Sequence, residues 1–213
     1  MKDYLKISQL IHFIIPSHRG QISEKSDIGR WILCLSALSE TNFIVEIGTW
    51  NGAGSSKLIA KGVSSNSKKI SSCEVLGLEI DMYKARSARR KLKRFKFFKV
   101  LHGRIVEEAD FDYTELTAGE NTWIERDLTN LRNSSNVLSF LPSKIDLLIL
   151  DGGEFSTYAE FQILQSRITK YVVLDDIFSR KCKKIFEEVK SSDQFKVIFL
   201  STERNGTAVL LRK

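Results

Sequence analysis

The sequence predicts a doubly wound α/β fold, with a mostly parallel sheet that closes on an antiparallel strand. Three observations predict it. Short apolar, β-branched runs alternate with amphipathic stretches of helical period, which implies strands joined by helical crossovers. The runs Phe43 to Ile47 (FIVEI) and Ile145 to Leu150 (IDLLIL) are apolar nearly throughout, as strands covered on both faces must be. Near the end, Asn205-Gly206 separates two strand-like runs and signals a tight hairpin.

Taken in order, Ile28, Trp31, Ile32, Leu35 and Leu38 recur at helical spacing, with Ser26 placed as the N-cap. The strand at residues 43–47 leads through a glycine-containing turn into a helix from Ser55 to Lys61. A second strand is expected over Val75 to Ile80, followed by a basic amphipathic helix over Lys84 to Lys96. Strands follow at residues 97–102 and 145–150, and a fifth begins at Tyr171. An additional helix is expected over Ile124 to Leu131, and another over Ser179 to Ser191. Strands at residues 195–200 and 207–211 form the closing hairpin. The connection from Gly103 to Lys144 is longer than a simple crossover, and connections at the carboxyl end of such sheets commonly carry ligand contacts.

The chain has 213 residues, 42% hydrophobic and 28% charged, which suits one globular domain and argues against disorder. Cys34, Cys73 and Cys182 are odd in number and far apart, which supports neither a disulfide framework nor a zinc site. A reducing, cytoplasmic setting is the expectation. No apolar run reaches the roughly 18 residues of a membrane span. Leu10 to Ile15 is short, contains His12 and has no cleavage signature, so it reads as part of the mature chain. With only two prolines, Pro16 and Pro142, no proline-rich linker is expected to split the chain. The expected organisation is one domain over 1–213: an N-terminal helical cap over 1–42 and a sheet over 43–213, with 103–144 as a substrate-side insertion.

The net charge of +7 is unevenly spread. Residues 57–104 hold fourteen Lys/Arg against three acids, whereas residues 105–161 hold twelve acids against three bases. A basic segment can attract phosphate polymers, and it is also what a solvated helix face looks like. The opposed segments could meet within one chain or between the subunits of a homodimer.

The chemistry begins where the first strand ends. In Glu46-Ile47-Gly48-Thr49-Trp50-Asn51-Gly52-Ala53-Gly54 the glycines permit a tight turn and close approach of backbone to ligand. The next helix aims free N–H groups at an anionic group. The spacing is not GxGxxG, which favours a carboxylate-bearing ligand over a phosphate. Glu79, at the tip of the second strand, is placed to accept hydrogen bonds from ribose hydroxyls. Turn and acid together argue for an adenosine-type ligand.

With these features in place, the sequence resembles the class I S-adenosylmethionine-dependent methyltransferases. VEIGTWNGAG, LGLEID, VLHGRI, LLILDGG, YVVLDDI and the closing hairpin run in family order over residues 43–213. It looks nearest the metal-dependent small-molecule O-methyltransferases of the catechol, caffeoyl-CoA and macrocin (sugar) types. The resemblance implies a Rossmann-like seven-stranded sheet and S-adenosylmethionine as cofactor. It also implies that Gly48, Thr49 and Gly52 hold the methionine part and that Glu46 supports their loop. Glu79 would hold the ribose, Arg104 and Ile105 would lie beside the adenine, and Asp151 would border the cofactor.

Asp151 follows the fourth strand, and Asp175 and Asp176 follow the fifth. If those strands are neighbours, about 4.8 Å apart, three carboxylates converge. Such a cluster needs protonation, solvent or a cation, and hard oxygen ligands suit Mg²⁺ or another divalent cation. Asp151, Asp175 and Asp176 match the metal positions of the metal-dependent relatives. The alternative is that Asp175 and Asp176 cap the next helix. The catechol type has a lysine three residues after its first metal Asp. Here that residue is Glu154, a candidate base with Asp151, or a surface residue at a helix start. His12, His18 and His102 have no Ser or Cys partner in a recognisable motif. The expected function is metal-assisted methyl transfer to a hydroxyl of a small molecule, with a sugar first. The alternatives are a nucleic-acid methyltransferase and a non-catalytic cofactor-binding or scaffold protein.

Overall fold

The computed structural model describes residues 22–114, 116 and 120–213. His12, His18 and the Leu10 to Ile15 stretch lie outside the described residues, as does the first half of the expected cap over 1–42. Seven strands form one sheet: β1 (Phe43–Ile47), β2 (Glu74–Glu79), β3 (Phe98–His102), β4 (Ile145–Leu150), β5 (Ile168–Asp175), β6 (Phe195–Ser201) and β7 (Thr207–Arg212). Their order is β3-β2-β1-β4-β5-β7-β6. The first five strands are parallel, and β7 inserts antiparallel between β5 and β6. The order reverses between β1 and β4, and ligands of open α/β sheets bind at such a switch point.

Among the described residues, six α-helices flank the sheet: α1 (Asp27–Ala37), α2 (Ser55–Ser65), α3 (Met82–Leu92), α4 (Glu120–Arg132), α5 (Thr157–Leu164) and α6 (Arg180–Ser191). Successive strand residues face opposite sides, so two cores form. Ile44, Val75, Leu147 and Ile149 pack on one face with residues of α1, α2 and α3. Val45, Ile47, Leu148 and Leu150 pack on the other with residues of α4, α5 and α6.

Local chemistry sets the element ends. Ser26 accepts the Gly29 N–H at 3.2 Å and starts α1. Asp81 accepts the N–H groups of Tyr83 and Lys84 and starts α3 two residues before the expected Lys84. That helix stops at Leu92 rather than Lys96, because Phe95 and Phe97 turn in to pack beside β3. The strand β5 begins at Ile168, earlier than expected, because pairing with Ile145 of β4 extends it. At the end of α1 the buried Lys69 ammonium donates to the Ser36 and Leu38 carbonyls, each at 2.7 Å, and to Thr41 Oγ1 at 2.6 Å. It thereby satisfies carbonyls that a helix terminus leaves unpaired.

Candidate functional site

The carboxyl ends of β1 to β5 open onto one cavity of about 450 Å³, within the range of small-molecule sites. Its floor is the turn after β1. Gly48 has φ +88°, and a Cβ there would fall 2.0 Å from the Asp151 carbonyl oxygen, so only glycine lets the two switch-point strands approach. Beneath the turn, fully buried Glu46 accepts the Ser56 hydroxyl at 2.6 Å through Oε2. Its other oxygen, Oε1, is buried and accepts no hydrogen bond. Burial pushes the Glu46 carboxyl up to about 8, against the opposing effect of the neighbouring Ser55 and Ser56 hydroxyls. Thr49 lines the cavity next to Gly48. Gly52 does not: it lies against α3, where a Cβ would meet Ala88 Cα at 2.9 Å. Its requirement is helix packing, not ligand contact.

Across the cavity Glu79 is buried and accepts the Asp81 N–H at 3.0 Å. Burial lifts its carboxyl to about 7. Arg104 reaches the cavity wall, but its guanidinium donates to the Ser134 carbonyl and to Glu107 at 2.6 Å, which ties the loop after β3 to that after α4. Ile105, expected beside the adenine, is 2% exposed and belongs to the α4–α6 core. The alternation of side chains after β3 turns it inward.

The wall facing Glu79 comes from the 103–144 connection. Trp123 and Asp127 of α4 line the cavity, and burial raises the Asp127 carboxyl. Glu160 of α5 is also there, pushed up to about 7 by burial, with a buried Oε2 that accepts no hydrogen bond. Trp50 projects at the rim, half exposed, under the Lys84 ammonium 3.7 Å from its ring centre. Trp50 sits in the turn already singled out and Trp123 and Asp127 in the connection expected to carry ligand contacts, but as individual side chains they and Glu160 belong to no motif.

At the β4 and β5 ends the expected convergence is present: carboxylate oxygens of Asp151, Asp175 and Asp176 lie within 4.8 Å of one another. No motif announces what lies between them. Lys181, at the start of α6, places Nζ 2.9 Å from Asp151, 2.7 Å from Asp176 and 3.9 Å from Asp175. Burial opposes its charge, yet the three carboxylates outweigh burial and raise the Lys181 pKa. Arg204, in the β6–β7 turn, stands 3.4 Å from Asp175 and 3.9 Å from Asp176. Burial, then the Asp151 charge, holds the Asp175 carboxyl above its ordinary range, with Lys181 opposing. Glu154 Oε2 accepts the Lys181 N–H at 3.0 Å and the Ser179 hydroxyl at 3.2 Å, so it caps α6.

The three carboxylates alone suit a hard dication, but with Lys181 they do not fit one. Unit charges 4 Å apart interact by about 4 kcal/mol at an effective dielectric of 20, and a dication doubles the repulsion from an ammonium. The convergence expected of Asp151, Asp175 and Asp176 is present, and Lys181 and Arg204 already stand against its charge.

Comparison with known proteins places the fold. No protein-family model matches the chain, and no curated protein matches it. Solved structures do. An O-methyltransferase of Bacillus cereus, in complex with S-adenosylhomocysteine (SAH), is 14% identical at a TM-score of 0.58, covering 100% of this chain and 90% of its own. An SAH-bound methyltransferase of Podospora anserina is 15% identical at 0.59, covering 87% and 77%. An rRNA methylase of Streptococcus thermophilus is 12% identical at 0.51, covering 89% and 98%. The chain thus has the class I methyltransferase fold.

Proposed function

We propose that the chain is an S-adenosylmethionine-dependent methyltransferase that acts on a hydroxyl of a small polyol-like molecule, a sugar first. The observation that carries this reading is the Glu46–Gly48 turn facing Glu79 across one cavity at the β1/β4 switch point. The Gly48 cradle, with Glu46 supporting the turn from beneath, suits the cofactor's amino-acid end, and Glu79 suits a pair of ribose hydroxyls. The SAH-bound neighbours support the same cofactor. When bound, that cofactor supplies an electrophilic methyl group on a sulfonium.

The residues of the chain supply position and charge. Asp151 is the most exposed of the three aspartates, at 24% of its side chain, and faces the cavity as the candidate base. Glu154 holds the start of α6 and thereby aims Lys181. The Lys181 ammonium lines the same cavity, where it would stabilise an acceptor oxygen as that oxygen loses its proton. Holding the acceptor in line with the methyl group supplies most of the acceleration. The several carboxylates and the exposed Trp123 suit a ligand rich in hydroxyls.

Calorimetric titration with S-adenosylmethionine tests the reading. The expected result is one site per chain, with the same affinity in Mg²⁺ and in chelator, and loss of binding in Gly48→Ala. No binding in either buffer overturns it. A nucleic-acid acceptor is the second reading, favoured by α3. Arg86, Arg90 and Lys91, with Lys93 and Lys96 beyond the helix, make no ion pair among the described residues. It requires RNA binding that weakens steeply with salt.

A further inference from the structure

We propose that Lys181 is a built-in cation. Its ammonium takes the place among Asp151, Asp175 and Asp176 that a divalent ion would otherwise hold. The cluster is closed to metal in this chain and becomes a divalent-cation site when the lysine charge is removed. The proposal does not depend on the methyl-transfer reading, because its test reads metal binding alone.

Geometry carries the inference. Lys181 touches two of the carboxylates at 2.9 and 2.7 Å and stands 3.9 Å from the third, with 8% of its side chain exposed. It is anchored from behind as well. Its own N–H donates to Glu154 Oε2, the Ser179 hydroxyl donates to the same oxygen, and the Ser179 N–H donates to the Asp176 carbonyl at 3.1 Å. The loop that links the last two aspartates to the lysine is therefore a closed hydrogen-bonded turn, and it returns the ammonium onto the acids that precede it. Asp176 adopts φ +57°, a conformation uncommon for a non-glycine residue. Its carboxylate reaches the cavity with Oδ1 buried and accepting no hydrogen bond. Arg204 neutralises the Asp175 side from the β6–β7 turn. Among the described residues, removing the lysine charge leaves three carboxylates within 4.8 Å, one with a buried oxygen that accepts no hydrogen bond and stands 3.9 Å from Arg204, against that single guanidinium. That arrangement supplies the hard oxygen donors that Mg²⁺ and Mn²⁺ require. The lysine also differs from a metal in kind, since no chelator removes it.

The test is Mn²⁺ binding to the full chain, followed by the loss of the free-ion paramagnetic resonance signal and by calorimetry. Wild type is expected to bind no Mn²⁺ in this cluster up to about 1 mM, the weak end of protein cation sites. Lys181→Ala is expected to bind one Mn²⁺ per chain at least tenfold tighter than wild type, and adding Asp176→Asn should abolish it. Lys181→Arg, which keeps a cation, should stay silent. Folding of each variant is checked by circular dichroism. If Lys181→Ala does not fold, Lys181→Gln, which keeps much of the side-chain length without the charge, takes its place. The proposal is overturned if wild type binds one Mn²⁺ that Asp176→Asn removes. It is equally overturned if the folded, uncharged variant binds no better than wild type.

Discussion

Lys69 and Glu46 are buried charged-type residues that answer burial in different ways. Lys69 keeps its proton by giving each of its three donors an oxygen, and burial lowers its pKa from the ordinary lysine value. Truncation to Met leaves the Ser36 carbonyl without its donor and removes one from the Leu38 carbonyl and the Thr41 hydroxyl. We expect Lys69→Met to cost about 2–3 kcal/mol, and hence roughly 5–10 °C in thermal midpoint for a domain of this size, read by circular dichroism. Glu46 instead takes up a proton, at about 8 against an ordinary 4.5. An acid whose folded pKa is raised contributes stability that is complete below about pH 4.5 and is lost as pH rises through about 8. The ligand-free protein should therefore melt higher at pH 5 than at pH 8.5, and Glu46→Gln should shrink that difference. An unchanged difference would remove Glu46 as its source. Residues at strand ends were legible beforehand: Gly48, Glu79 and the three aspartates each follow an apolar run that announces a strand. Lys181 was not, because RKCKK reads as a solvated helix face until the turn of residues 176–179 brings it back on Asp176.

Among elements, those with a strong period or a turn signal emerged where the residues placed them, and the ends moved where tertiary pairing decided. β1 and β4 match to the residue. β5 gained three residues from its neighbour, and α4 runs longer at both ends than its apolar positions indicated. The Asn205-Gly206 signal gave the hairpin, but nothing local showed that β7 would insert between β5 and β6 and deliver Arg204 to Asp175. Gly206 has φ +81°, and a Cβ there would meet the Phe178 ring at 2.5 Å. Gly206→Ala should cost about 1–3 kcal/mol, measured by urea denaturation with the slope unchanged. At the start of α6, Glu154→Ala removes an acceptor shared by the Ser179 hydroxyl and the Lys181 N–H. The expected loss is about 1 kcal/mol, the usual value of a helix cap, together with weaker hold on Lys181.

For the whole molecule, the reversal of charge along the chain becomes a division of surface. The acidic segment pairs largely within itself, with the adjoining Arg104 or with α6: Arg104 with Glu107, Arg132 with Glu108, and Arg180 with Asp112 and Glu120. The basic face of α3 is thus left to solvent. Arg180 also donates to the Thr114 carbonyl, which fastens the long connection after β3 to the helix that carries Lys181. Charge reversal of Arg86 and Arg90 to Glu should leave cofactor affinity unchanged and should weaken binding to single-stranded RNA only if the nucleic-acid reading holds. A filter-binding series in rising salt decides between them. The 103–144 connection was visible as a length, while its contribution of Trp123 and Asp127 to one wall needed the packing of α4 against the sheet.

The placement of the tryptophans has a practical consequence. Of the three in the chain, Trp31 packs on Phe199 away from the cavity, while Trp50 and Trp123 line it, each about half exposed. Their emission reports on the same space that a ligand would fill. An adenine-bearing ligand that covers these indoles withdraws them from water, so fluorescence should shift to the blue and dim in proportion to occupancy. The protein carries its own optical gauge of binding, and Trp50→Phe and Trp123→Phe would show which end of the cavity fills first.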